Sequence, residues 1–165
     1  MTTAAYSKLI DQLCELTMIS NPSSFYEQAN LSVKDIDFTL RHNSGEGEGE
    51  VCIYCNYGTI PKANRELVLQ RLLEANLLLA SNPFSPFLSY NASSEEVVLC
   101  GYIIMEKLQA ERLLAMMGSM ADMALTWRKT YFIEEGQGEA GNKSRTDSAA
   151  SSAKSTLSAT AALLR

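Results

Sequence analysis

Arg65-Glu66-Leu67-Val68-Leu69-Gln70-Arg71-Leu72-Leu73-Glu74-Ala75-Asn76-Leu77-Leu78-Leu79-Ala80-Ser81 reads as a helix with almost no solvent face. With successive residues about 100° apart around the axis, Val68, Leu69, Leu72, Leu73, Ala75, Leu79 and Ala80 fill one broad arc. Leu67, Leu77 and Leu78 fall outside it and flank a narrow strip of Glu66, Gln70 and Glu74. A helix covering one side of a small domain needs one apolar stripe. The second set of leucines needs a cover of its own, and a second copy of the chain is the simplest one. The expected dimer seam is therefore Leu67, Leu77 and Leu78, with Arg71 beside them, placed to pair across a two-fold axis or to reach solvent. Asn76 lies inside the main arc. A buried amide needs partners, so it is expected to bond backbone at a strand end or at the seam.

The segments on either side place this helix in an α+β domain. Residues 3–19 carry Tyr6, Leu9, Ile10, Leu13, Leu16 and Ile19 at three- and four-residue spacing, a first helix with Thr3 as its N-cap. Asn21-Pro22 stops it. Leu31–Val33 reads as a short strand. Ile36, Phe38 and Leu40 alternate with Asp37, Thr39 and Arg41, a strand buried on one face. Ser44 to Glu50 is a hairpin loop of alternating Gly and Glu, followed by an alternating strand from Val51 to Tyr57. Asn64 is the expected N-cap of the leucine-rich helix. Beyond Pro83 and Pro86, Phe87–Tyr90 and Glu96–Met105 read as two further strands, the second apolar on both faces and so expected at the sheet centre, covered twice. Residues 107–131 form a last helix with a stripe of Leu113, Met117, Met120, Ala124 and Trp127. The order is α-β-β-β-α-β-β-α, an antiparallel sheet packed by helices.

Length, charge and cysteines narrow the class. The 165 residues suffice for one domain with a core. Nineteen residues of segment 136–165 are Gly, Ala, Ser or Thr, too little apolar mass to offset ordering. The expected division is a domain over 1–135 and a flexible tail over 136–165, of which Ser155–Arg165 has the leucines to form a short helix against a receiving surface. The net charge is −5. Lys143, Arg145, Lys154 and Arg165 against Glu139 and Asp147 give the tail +2, leaving the body at −7. An acidic body argues against nucleic acid. The longest apolar stretch, Val97 to Met105, is too short to span a bilayer, and the N-terminal residues lack a secretory pattern. A cytoplasmic protein without membrane insertion is the expectation.

Chemistry finds little support. Cys52 and Cys55 have redox-motif spacing but lie three apart within one strand, so they point to opposite faces; buried structural thiols are expected. A second such pair is absent, which argues against zinc. His42 is read as an exposed loop residue with no partner placed for general-base work. Glu46, Glu48 and Glu50 lack calcium-loop spacing. No catalytic, cofactor-binding or metal residues are assigned, and no cofactor. Met116 and Met123 lie off the last helix's stripe, with core packing the expectation.

In this order and with these words, the chain resembles the CesT (Tir chaperone) family of type III secretion chaperones. Arg71 to Ser81 is similar to the family's mid-chain helix with its recurrent Leu-x-x-Asn pattern. The strand pair from Phe87 to Ile104 follows as in the family, and Ala124-Leu125-Thr126-Trp127-Arg128 is similar to the close of its terminal helix. The Asn91–Glu95 loop lacks the glycine often found at that hairpin, and the tail is longer than in many members.

The resemblance implies a small acidic homodimer in the cytoplasm of a Gram-negative bacterium, joined through the mid-chain helix. It implies binding of the N-terminal region of one or more secreted effectors, held extended and secretion-competent, with delivery to the export ATPase or another part of the secretion apparatus. It implies no chemistry on the guest. The effector segment is expected over the first helix and its neighbouring sheet, at Leu9, Leu13, Leu16, Phe38, Leu40 and Ile53, with part of it added as a strand to a sheet edge. A regulatory adaptor on the same scaffold, binding a transcriptional regulator or export component, is the alternative.

Overall fold

The computed structural model describes residues 4–44, 49–83, 85–106 and 108–133. The expected tail, its terminal helix, the Thr3 cap and the tip of the Gly/Glu hairpin lie outside the described residues. Three helices, α1 (Ala4–Thr17), α2 (Arg65–Leu79) and α3 (Ala110–Thr130), combine with five strands: β1 (Gln28–Val33), β2 (Ile36–Asn43), β3 (Glu50–Thr59), β4 (Phe87–Asn91) and β5 (Glu96–Ile104). A short 3-10 turn, Pro22–Phe25, follows α1. The fold is the α+β arrangement that the sequence implies.

The sheet is antiparallel throughout, in the order β1-β2-β3-β5-β4. Lys34 and Asp35, both at positive φ, form the two-residue turn between β1 and β2, the left-handed pair that matches strand twist. The Lys34 ammonium lies 2.7 Å from both Asp122 oxygens and ties this turn to α3. β3 carries a bulge between Asn56 and Gly58. Gly58 has φ +105°, and a Cβ there would lie 3.4 Å from Arg128 Nε. At the other end of β3, Gly49 has φ +83°, and a Cβ would come within 2.6 Å of the Asn43 carbonyl oxygen. Only glycine fits there.

All three helices serve one face of the sheet. Ile36, Phe38 and Leu40 of β2, Val51, Ile53, Cys55 and Tyr57 of β3, and Val97, Leu99 and Ile103 of β5 point into one core. Leu113, Met117, Met120, Ala124 and Trp127 of α3 meet them, all fully buried. Met116 and Met123 are also core. Trp127 sits between Tyr57, with ring centroids 5.8 Å apart, and Tyr131 at 5.1 Å edge-on. α1 packs against α3, and α2 lies along β4.

Three expectations need correction. β5 pairs on both sides, but β3 is the central strand, and among the described residues nothing covers the second face of β5: Ile104 is 51% exposed, and Val98 and Tyr102 are half-buried. His42 belongs to β2 rather than a loop, on the same side as Phe38 and Leu40, with its ring 5.3 Å from that of Tyr6. Leu73 and Ala80 leave the main arc of α2, because the core takes the narrower stripe Val68, Leu72, Ala75 and Leu79. Asn64 precedes α2 in a left-handed conformation without a side-chain cap bond.

Candidate interaction surface

Cys55 is in the core, its Sγ directed at the Met120 carbonyl, while Cys52 lies on the other face of β3. All four cysteines are free. Burial pushes the Cys14, Cys52, Cys55 and Cys100 thiols above their ordinary range, away from reactive thiolate. Among the described residues no group of three or more His, Cys, Asp or Glu could hold a metal ion. No helix of the described residues is long and apolar enough to cross a membrane.

Asn76 fixes how α2 sits. Its Nδ2 donates to the Leu88 carbonyl at 2.9 Å, and its Oδ1 accepts from the Leu88 N–H at 2.7 Å. At the start of α2, Arg65 donates to the Tyr90 hydroxyl at 2.6 Å and lies 4.9 Å over that ring. These two residues therefore mark the side of α2 that faces the β4 edge. Turning from the core stripe past them brings up Leu69, Leu73 and Leu77 in turn. Leu69 is half-buried, Leu73 is 69% exposed and Leu77 is 78% exposed. That flank continues toward the uncovered face of the sheet, where Phe87, Tyr102 and Ile104 stand beside Cys100 and Tyr54. The molecule thus carries one extended apolar surface that wraps the β4 edge.

Of the expected seam residues, Leu77 lies on this flank. Leu67, Arg71 and Leu78 lie on the opposite flank of α2, Leu78 at 43% exposure and the other two half-buried. Arg71 pairs within its own helix, with Nη1 2.6 Å from Glu74 Oε2. That bond, helped by Gln70, holds the Glu74 carboxyl below its usual range. Leu73 was missed because a wheel centred on all the leucines assigns it to the core. Asn76 was the available signal: it marks the β4 edge, and the residues beyond it are not core.

The six residues expected to bind an effector fare differently. Leu9, Leu13, Phe38, Leu40 and Ile53 are at most 3% exposed and share the core under α1 and α3. They belong to the core of the described residues. Alternation identifies the inner face of a strand, and an inner face is core wherever a helix already covers it. Leu16 alone is open, at 44%, beside Met18 at 92%.

The profile of the Tir chaperone protein (CesT) family matches residues 10–128. The chain belongs to the Tir chaperone protein (CesT) family. Solved structures agree in fold. A chain of the crystal structure of the ExsC–ExsE complex superposes with a TM-score of 0.56 at 11% identity, covering 74% of this chain and 90% of that one. A chain of the HopA1–SchA chaperone–effector complex gives 0.56 at 17% identity, covering 76% and 94%. No curated protein matches the chain in sequence. Members of the Tir chaperone family are type III secretion chaperones rather than enzymes.

Proposed function

We propose that this Tir chaperone family member binds the N-terminal region of one or more secreted effectors in the bacterial cytoplasm, as a homodimer, and keeps that region extended for export. The observation that carries the reading is the apolar surface its own fold leaves open: Leu73 and Leu77 on α2, Phe87 and Ile104 on the outer face of the sheet. A patch of this kind on a small acidic protein marks an interaction site. The exposed side of α2 supplies the dimer seam, with Leu73 joining Leu77 and Leu78, while Leu67 and Arg71 rim it. The free edge of β1 offers backbone hydrogen bonds to an extended guest, a mode that needs no folded partner.

Co-expression with a secreted protein encoded beside it tests this function. A stable complex is expected, lost when the partner's N-terminal segment of about 100 residues is deleted (a domain-sized piece). A complex indifferent to that deletion would contradict the reading.

A further inference from the structure

The two edges of the sheet are not equivalent. In an antiparallel strand, the N–H and C=O of one residue point to the same side, and successive residues alternate sides. Both backbone groups of Leu88 meet Asn76, so they face away from β5. The outward-facing positions along this edge are therefore Leu88 and Tyr90, preceded by Pro86 in the same parity, which has no N–H to offer. The Asn76 amide makes the two bonds that an added strand would make at Leu88. Arg65 lies over the Tyr90 ring at the next outward position.

β1 is built the other way. Its two-residue turn makes Val33 and Ile36 the hydrogen-bonded pair, so Leu31 and Ala29 also bond toward β2. Gln28, Asn30 and Ser32 then turn their backbone groups outward. Among the described residues no strand pairs with that edge, and Leu31 and Val33 beside it are only half-buried. Unprotected edges are usually blocked by charge, proline or a covering element. Among the described residues the protection falls on β4 and not on β1.

We propose that Asn76 is a specificity-determining seal. By occupying Leu88 it closes β4 to strand addition and confines an extended, alternately apolar segment of the partner to β1. The inference rests on the chaperone reading above for the guest, but the seal itself does not depend on it.

The test uses the full chain, its Asn76→Ala variant and a synthetic peptide of about ten alternating Val and Thr residues carrying a photo-crosslinker. In the unmodified chain, crosslinks are expected at 28–33 and not at 87–91. In Asn76→Ala, exchange of the Leu88 amide is expected to rise by about tenfold or more, with new crosslinks at 87–91. Crosslinks at β4 in the unmodified chain would overturn the seal. So would a folded Asn76→Ala chain that frees the Leu88 amide yet gains none. If Asn76→Ala does not fold, Asn76→Leu is read in the same way, since it keeps the side-chain volume and loses both the donor to the Leu88 carbonyl and the acceptor for its N–H. Absence of crosslinks at β1 contradicts strand addition there, while a gain at β4 in the variant still supports the seal. The two failures are thereby distinguished.

Discussion

Arg128 holds the bend in β3. Its Nε donates to the Tyr57 carbonyl at 2.7 Å and its Nη2 to the Asn56 carbonyl at 3.1 Å. The bulge leaves both oxygens outside the ladder, so a fixed cationic donor replaces the missing strand partner. Arg128→Ala is expected to cost about 1–3 kcal/mol in urea unfolding, with Lys restoring only part because a single ammonium cannot span both oxygens. The side chain of Tyr57, whose carbonyl accepts that bond, behaves oppositely. Its hydroxyl is buried with no hydrogen-bond partner among the described residues. Tyr57→Phe is expected to leave stability within about 0.5 kcal/mol or to raise it, since a buried polar group without a partner costs free energy. A loss above about 2 kcal/mol in the same assay would show that the hydroxyl is satisfied.

α2 shows what a sequence reveals about an element and what it withholds. Its helical nature, its excess of leucine and the structural use of Asn76 were all legible, because each follows from local residue spacing. The azimuth of its core face was not. The helix is apolar nearly all round, so the wheel alone cannot say which leucines meet the sheet. The same limit hid the fate of Phe38, Leu40 and Ile53: alternation marks an inner face but not whether a helix or a guest covers it. The structure separates the leucines, and mutations should follow the separation. Leu72→Ala removes core volume and is expected to destabilise by about 2–5 kcal/mol. Leu73→Glu with Leu77→Glu changes only exposed positions. Thermal stability at low concentration should stay close to that of the parent, while light scattering should report a shift from the proposed dimer to monomer. A variant that remains dimeric would remove this flank of α2 from the seam.

Across the whole molecule, burial of ionisable groups sets the response to alkali. Desolvation raises the four thiols and the Tyr57 phenol, and pushes Tyr6 up to about 12. A group whose folded pKa is raised contributes stability that is whole below its unfolded pKa and is lost as pH rises through the folded value. Unfolded thiols titrate near about 8.5. The melting temperature is therefore expected to hold steady up to about pH 8 and to fall beyond it. Cys55→Ala should flatten that fall, while a melting temperature unchanged into strongly alkaline solution would contradict the burial of these groups.

The element order, antiparallel sheet and family were legible along the chain because they rest on periodicity and on the order of words. The open surface was not, since it depends on which sheet face the helices leave bare. That surface is where the central claim is tested most directly. An isotopically labelled N-terminal segment of a secreted effector that co-purifies with this protein would be followed by nuclear magnetic resonance with the purified chaperone. The account expects saturable binding, with the bound segment lacking a folded core of its own and losing affinity when Ile104 is made charged. No binding, or a bound segment that folds into an independent compact domain, would contradict it.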